Sequence, residues 1–469
     1  MKKIFAQEIR VAVNGGLVSR CAEEDIFIDN VSTDSRTVKK GDAFFALIGE
    51  NHDAHDHITE VCEAGCELLV VSSDNNIPEG YQGTYIMVED TLSALQDFAQ
   101  YYRELIDPVV IAVTGSVGKT TLKDMLAQIA SEKYNTVATS KNYNNHIGVP
   151  KTIFEMAENT EILIVEMGMS AKGEIERLTC IAKPDIALIS NIGISHRENF
   201  NSDDGILNAK MEITTYFESG NTLVINGDCP ELVASAKEGS KNKGYKLIIV
   251  SSDSCENDGT DYMIRNVKNC KEGQITFEIE NEFDTERFVL PIPGLYAGMS
   301  AGLAVAAVST LGITMCEASS ALKALKNTPH RLQPIRKDEI LVIDDTYNAS
   351  PDSAKSGLDY LAVAEGNRKI AVLADMNELG DNSFEMHKQV GEYAINSMID
   401  ILVIYGEKAK GIAAGAADTD GTKNTEIYTF DEKEELIRFL KSILVSGDVF
   451  YVKGSRTMKM EEVVSALLA

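Results

Sequence analysis

Residues 109–121, VVIAVTGSVGKTT, restrict the possible fold more than any other stretch of the chain. An apolar run of β type passes into a turn holding Gly115 and Gly118, and then directly into Lys119, Thr120 and Thr121. A buried strand that breaks in a glycine turn and continues as a helix is the opening unit of a parallel, doubly wound sheet. In such a turn the glycines let successive backbone N–H groups converge on one point, with a helix N-terminus behind them, which suits phosphate oxygens. The pattern predicts a nucleotide phosphate loop built from Thr114, Gly115, Ser116, Val117, Gly118, Lys119, Thr120 and Thr121. Lys119 is placed to reach the β- and γ-phosphates and Thr120 to offer its hydroxyl to Mg²⁺. Val113 stands where the longer form of this loop has its first glycine, so the loop is the shorter T-G-S-x-G-K-T-T form.

A length of 469 residues suits about three domains, and the 44% hydrophobic content supports buried cores. The 72 acidic residues outnumber 44 basic ones, for a formal net charge of −28, which disfavours nucleic acid or an anionic membrane as a partner. A phosphorylated ligand must then be gripped locally, by loop amides, Mg²⁺ and a few placed cations. The eight cysteines are scattered without a C-x-x-C pair, as in a reduced, cytoplasmic protein. Cys62 and Cys66 read as apolar packing on one helix face. The N-terminus meets Glu8 and Arg10 before any apolar core forms, so no signal peptide is expected. Residues 301–313, rich in small side chains, are too short to span a bilayer and predict a buried helix, so no membrane insertion is expected.

The predicted fold class is α/β in three domains. Residues 1–90, with strand-like runs at 43–48 and 67–71 and a helix near 58–64, read as a small domain. Residues 91–328 continue through the phosphate loop to buried strands at 162–165 and 186–190, an antiparallel-looking stretch at 246–290 and the buried helix. Residues 329–469, with strands at 340–343, 370–373 and 401–404 between helices, read as a Rossmann-like domain. That domain lacks G-x-G-x-x-G, so a dinucleotide is not implied.

Within this frame, the strand ILIVEMG ends in Glu166, where an acid holds Mg²⁺ beside a phosphate loop. SNIGISHRENF carries His196 into a loop at the same sheet edge, where α/β folds place their sites. Lys210, in a helix predicted over 207–217, reads on residue chemistry alone as a surface or phosphate-facing lysine. His52, His55 and His57 crowd a loop-like segment without carboxylate or cysteine geometry for a metal. A guanine-reading N-K-x-D segment is missing, because Asn242-Lys243 is followed by Gly244 and Tyr245. A nucleic-acid motor is disfavoured by the acidic composition.

Taken together, these segments resemble the Mur ligase family, and within it the branch that joins D-Ala-D-Ala to UDP-MurNAc-tripeptide. STDSRTVKKGDAFFALIGE resembles the part of the first domain that binds the UDP-sugar end of the substrate. TGSVGKTTLKDM, KNYNNHIGVPKT, EMGMSAKGEI and NIGISHRENFNSDDGILNAKMEI follow in order, then HRL, DDTYNASPDS, VLADMNELGDNSFEMH and VKGSR. The resemblance implies ATP-driven amide formation in peptidoglycan precursor synthesis, in which a carboxylate takes the γ-phosphoryl group and an amine attacks the acyl phosphate. Phosphorylation supplies the leaving group that a carboxylate lacks at neutral pH. It further implies a monomer acting on small-molecule substrates, with two Mg²⁺ ions, one on Thr120 and Glu166 and one on His196 and a carbamylated Lys210.

Arg331 of HRL would reach the ATP phosphates from the third domain, with Asp345 and Asn348 facing the nucleotide. Ser35, Arg36, Asn142, Asn144 and Asn145 are implied for the UDP-sugar peptide. Asp375, Glu378, His387, Lys453, Ser455 and Arg456 are implied near the dipeptide and tripeptide. The chain departs from the family pattern G-x-H-x-x-x-N at Tyr296 and Ser300, where a stacking ring and a single hydroxyl would meet adenine. The rival readings are a related ligase with another amine or acceptor, and a catalytically weakened relative that binds UDP-sugar peptides.

Overall fold

The computed structural model of the chain describes residues 1–19, 26–193, 203–253, 259–270, 273–419 and 425–469. The predicted three-part α/β architecture is present. The central sheet has nine strands, and its middle is made of continuous apolar runs: Ile162–Glu166, Val109–Thr114 and Ile186–Ile189 are almost entirely buried. Runs of this kind need helices on both faces, hence parallel pairing and crossover helices. Val109–Thr114 pairs in parallel with Ile162–Glu166 on one side and Ile186–Ile189 on the other. The chain thus leaves this strand for one side of the sheet and later returns on the other, and the loops at the carboxyl ends meet at that switch point.

The stretch at 246–290 differs in part from its antiparallel reading. Lys246–Ser252 pairs in parallel with Thr222–Asn226, because the helix Pro230–Lys243 between them carries the chain back across the sheet. Tyr262–Cys270, Gln274–Glu280 and Thr285–Leu290 are antiparallel neighbours, and Gln274–Glu280 alternates buried and half-buried residues as a one-faced strand should. The small-residue helix runs Tyr296–Ser309, starting earlier than expected, and shares one apolar core with the phosphate-loop helix Lys119–Ser131. Lys210 lies on a helix spanning Asp203–Met211, shorter at its C-terminal end than the sequence reading, with a 3₁₀ turn at Glu212–Thr214.

The N-terminal five-stranded sheet is fixed to the central unit by the helix Thr91–Ile106. Its Phe98 ring lies 6.1 Å from Phe45 of the first sheet and 5.1 Å from Phe154 of the central unit. The Tyr102 hydroxyl donates to the Met156 carbonyl at 2.8 Å. One continuous apolar core therefore runs beneath both sheets. Cys66 is not on the same helix as Cys62, because that helix ends at Glu63 and Gly65 turns the chain at φ 85°.

The C-terminal sheet has six strands, with the antiparallel edge Gln333–Lys337 beside parallel Ile340–Asp345, Val449–Lys453, Lys369–Ala374, Ile401–Tyr405 and Glu426–Phe430. Helices Ser383–Asn396 and Lys410–Asp418 cross so closely that a Cβ on Gly391 would stand 2.0 Å from the Ile412 carbonyl oxygen. Backbone cannot yield as a flexible side chain can, so Gly391→Ala is expected to destabilise the protein by about 2–3 kcal/mol and lower Tm by at least about 4 °C. Thermal unfolding checks this; an unchanged Tm would mean that the crossing is looser than it stands.

Candidate active site

The phosphate loop closes around its glycines. Gly115 has φ 148° and Gly118 φ 84°, and a Cβ on Gly115 would meet the Ser190 hydroxyl at 1.9 Å. Only glycine permits that backbone and that approach together. The Ser116 and Val117 N–H groups donate to Asn191 Oδ1 at 3.0 and 2.9 Å, while the Gly193 N–H donates to Ser116 Oγ at 2.8 Å. The loop after Ile186–Ile189 thus braces the phosphate loop. Lys119 folds back over the turn and donates through Nζ to the Gly115 carbonyl at 2.7 Å. Burial lowers its pKa; the Glu166 and Glu378 carboxylates oppose this shift, and Arg331 adds to it.

At the end of the neighbouring strand, Glu166 is buried. It accepts from Thr120 Oγ1 at 2.9 Å and, on its other oxygen, from Asn144 Nδ2 at 2.9 Å. Thr139 Oγ1 accepts from the Glu166 N–H at 2.9 Å and fixes the strand end. Thr120 and Glu166 therefore form a ready pair of hard oxygen donors for Mg²⁺. Asn144, expected at the UDP-sugar peptide, lines the same cleft and holds Glu166 in place. Lys210 is 2% exposed, and its pKa falls far below the usual lysine value, first through burial and then through the nearby Lys119 charge. Among the described residues no ion pair neutralises it. His196 lies outside the described residues.

A cleft of about 570 Å³ opens above these groups. Ser116, Val117, Gly118, Lys119, Thr120, Thr121 and Glu166 line one side, with Tyr296 and Ser300. Arg331, Asp345, Asn348, Glu378 and Lys453 line the other. Thr114 and Gly115 form the base beneath it; the Thr114 hydroxyl donates to the Met167 carbonyl at 2.9 Å. Tyr296 is 64% exposed, and Ser300 Oγ approaches the Tyr296 carbonyl at 3.5 Å. Arg331 stacks on Tyr347, its guanidinium carbon 4.1 Å from the ring centre. Asp345 is an internal anchor: it accepts from Lys453 Nζ at 2.5 Å, Tyr451 Oη at 3.1 Å and the Leu332 N–H at 3.1 Å. Its carboxylate is thus engaged within the domain at the wall of the cleft. Asn348 caps the Ala349 N–H at 2.9 Å, and its carbonyl accepts from Lys453 Nζ at 2.9 Å.

Several expected substrate residues hold structure. His387 is fully buried; Nε2 accepts from the Met376 N–H at 2.9 Å and Nδ1 donates to the Ser383 carbonyl at 2.7 Å. Burial depresses its pKa, so the ring is a neutral brace for the loop after Lys369–Ala374 and does not face a ligand. Asp375 Oδ1 accepts from the Ala409 N–H at 2.8 Å, and Ser455 Oγ accepts from the Asn377 N–H at 2.7 Å. Asn145 caps the start of the helix Gly148–Phe154, accepting from the Gly148 N–H at 2.9 Å. Arg456 remains solvent-facing, 6.0 Å from the Tyr347 ring centre.

Around the first sheet, Arg36 is exposed and forks onto Asp34 at 2.8 and 2.7 Å, which holds the Asp34 pKa down at about 2. Ser35 lies between them, partly buried. Lys151 also acts on Asp34, so this segment stands close to the helix that follows Asn142. Lys141 and Lys151 each lie 5.7 Å from the Tyr143 ring centre. The result is a local cationic patch on a chain of net charge −28.

A glycine loop with Lys119 and Thr120 at the switch point of a parallel sheet, facing an arginine from a second α/β unit, defines a P-loop phosphate site of the two-sided kind. Three family models match the chain in order: "Mur ligase family, catalytic domain" over residues 27–103, "Mur ligase middle domain" over 113–308 and "Mur ligase, glutamate ligase domain" over 330–456. The chain belongs to the Mur ligase family. It is 38% identical to the UDP-N-acetylmuramoyl-tripeptide–D-alanyl-D-alanine ligase of Bacillus subtilis, over 100% of this chain and 99% of that one. Identity to the enzyme of the same name from Escherichia coli is 32%, over 94% of each chain. Among solved structures it resembles MurF from Acinetobacter baumannii, with TM-score 0.89, 29% identity and coverage of 100% and 99%. It also resembles MurF ligase from Thermotoga maritima in complex with ADP, with TM-score 0.81, 26% identity and coverage of 94% and 97%.

Proposed function

We propose that this chain is an ATP-dependent ligase that joins the terminal carboxylate of UDP-MurNAc-tripeptide to the amine of D-Ala-D-Ala, in the synthesis of a peptidoglycan precursor. The observation that carries the reading is the meeting, in one cleft, of Lys119 and Glu166 with Arg331 and Glu378 from the C-terminal unit. Full-length similarity to relatives named for this reaction supports the choice of substrates. Residues 1–90, 91–328 and 329–469 act as three domains, contributing the UDP-sugar site, the ATP site and the closing face. The working unit in this reading is a monomer. The reading places the work in the cytoplasm; among the described residues no helix is long and apolar enough to cross a membrane.

The donor set fits Mg²⁺, since the Thr120 hydroxyl and Glu166 carboxylate stand 2.9 Å apart at the head of the loop. When bound there, Mg²⁺ supplies positive charge against the phosphates. The loop amides and Lys119 hold the β- and γ-phosphates, and Arg331 adds charge from the opposite wall. The substrate carboxylate attacks the γ-phosphorus, the bond to the β-bridging oxygen breaks, and ADP leaves. The amine of D-Ala-D-Ala then attacks the acyl carbon, loses a proton and displaces inorganic phosphate. Lys210, buried and beside a second cation, is disposed to the neutral amine, which is the form that reacts with CO₂ to give an anionic carbamate. His196 and that carbamate would hold a second Mg²⁺. The cationic patch of Arg36, Lys141 and Lys151 would take the diphosphate of the UDP-sugar.

Phosphate release from ATP, measured with each substrate omitted in turn, tests the reading. Release is expected only when UDP-MurNAc-tripeptide and D-Ala-D-Ala are both present. Release with another amine in place of D-Ala-D-Ala would change the substrate assignment. Absence of release in every combination would leave a binding protein.

A further inference from the structure

We infer that Asp124 and Thr328 form a clasp that positions Arg331 against the phosphate loop, an inference that rests on the ATP-dependent ligation proposed above. Arg331 lies on the chain that crosses from the helix Met315–Leu322 to the strand Gln333–Lys337, without regular structure of its own. The residues on either side of it, His330 and Leu332, have φ of 61° and 43°. Side chains other than glycine hold this left-handed region only where their surroundings fix it.

Three contacts fix this segment to the C-terminal sheet. His330 Nδ1 lies 2.8 Å from Asp344 Oδ2, the Leu332 N–H donates to Asp345 Oδ1 at 3.1 Å, and the Tyr347 N–H donates to the His330 carbonyl at 3.1 Å. These, with the ring of Tyr347, set Arg331 relative to its own domain. They do not set its distance from Lys119. That task falls to a contact from the linker back to the phosphate-loop helix: Thr328 Oγ1 donates to Asp124 Oδ2 at 2.7 Å, between residues 204 apart in sequence.

Asp124 is on the phosphate-loop helix itself, little more than one turn after Lys119. Its other oxygen is paired with Lys123, whose ammonium also donates to the Thr139 carbonyl at 2.9 Å, so the acceptor is held from behind. On the linker side, the Arg331 N–H donates to the Thr328 carbonyl at 3.2 Å and closes a turn. Thr328 and Arg331 thus belong to one hydrogen-bonded turn. The clasp ties the helix whose N-terminus faces the phosphates to the turn that presents the opposing guanidinium, and both of its residues line the cleft. Misplacement by about 1 Å is enough to slow a transfer reaction substantially.

The test is a mutant cycle on ADP formation with both substrates present. Thr328→Val keeps the side-chain shape and removes the donor; kcat is expected to fall about tenfold, with KM for UDP-MurNAc-tripeptide and Tm unchanged. Thr328→Ser should restore turnover, and Asp124→Ala should reproduce the loss. In an Arg331→Ala background, Thr328→Val should have no further effect on kcat, because the group it positions is gone. An equal additional loss in that background, or a Thr328→Val enzyme as fast as the parent, would overturn the clasp while leaving ligation intact. An unmodified protein inactive with both substrates would overturn the ligase reading and the clasp with it.

Discussion

Replacing Lys119 with alanine is expected to lower ADP formation by about a thousandfold, the scale seen when a preorganised charge at a transferring group is removed. Lys119 lines the cleft. Its ammonium bends back onto the Gly115 and Ser116 carbonyls at 2.7 and 3.4 Å, filling the hollow of the turn where phosphate oxygens would lie. Burial and Arg331 both disfavour its charge, and the carboxylates of Glu166 and Glu378 oppose them. A fold does not need a cation kept there, so Lys119→Ala should leave Tm within a few degrees of the parent while turnover collapses. Steady-state kinetics beside a thermal melt separates the two quantities. Turnover within tenfold of the parent would show that the loop amides and Arg331 suffice without the lysine.

The second large effect is expected at Lys210. A lysine 2% exposed, with Lys119 as its charged neighbour, is disfavoured as an ammonium. A carbamate reverses its sign. It would turn the residue from a repellent of Mg²⁺ into an oxygen donor and would relieve the repulsion from Lys119. Lys210→Ala should therefore lose at least about a hundredfold in kcat, and an added short carboxylic acid should recover part of it by supplying the missing oxygens. Depleting dissolved CO₂ should slow the parent enzyme and leave the alanine variant unaffected. Ordinary turnover by Lys210→Ala without any added acid would remove the carbamate from the account.

What the sequence made legible is what short-range chemistry encodes. The strand, two glycines, Lys119 and Thr120 stand within one short segment, and the loop follows from backbone geometry and local hydrogen bonds. Glu166 was visible because a buried strand must end somewhere, and an acid at that end is unusual without a task. Contacts made by strand neighbours stayed hidden. Asn191 braces the phosphate loop because Ile186–Ile189 happens to pair beside Val109–Thr114, and no spacing in the chain announces that. The Asp124 and Thr328 pair is hidden as well, because it joins a helix and a linker 204 residues apart in sequence.

The misreadings have the same origin. The polar stretch at 246–290 looks antiparallel in sequence, yet the helix Pro230–Lys243 brings Lys246–Ser252 into a parallel pairing. His387 sits in a motif-rich segment and reads as a ligand contact, but the close helix crossing turns its ring inward, where backbone groups claim both nitrogens. Asn144 and Asp345 both line the cleft, and each also holds another site residue: Glu166 in one case, the Arg331 turn and Lys453 in the other.

The most direct test of the account follows the oxygen. UDP-MurNAc-tripeptide labelled with ¹⁸O in its terminal carboxylate would be incubated with the protein, Mg²⁺, ATP and D-Ala-D-Ala, and the released phosphate analysed by mass. Attack of the carboxylate on the γ-phosphorus transfers one labelled oxygen to inorganic phosphate for each peptide bond formed, and that is the expected result. Unlabelled phosphate, or label appearing in AMP, would contradict the proposed route through this cleft.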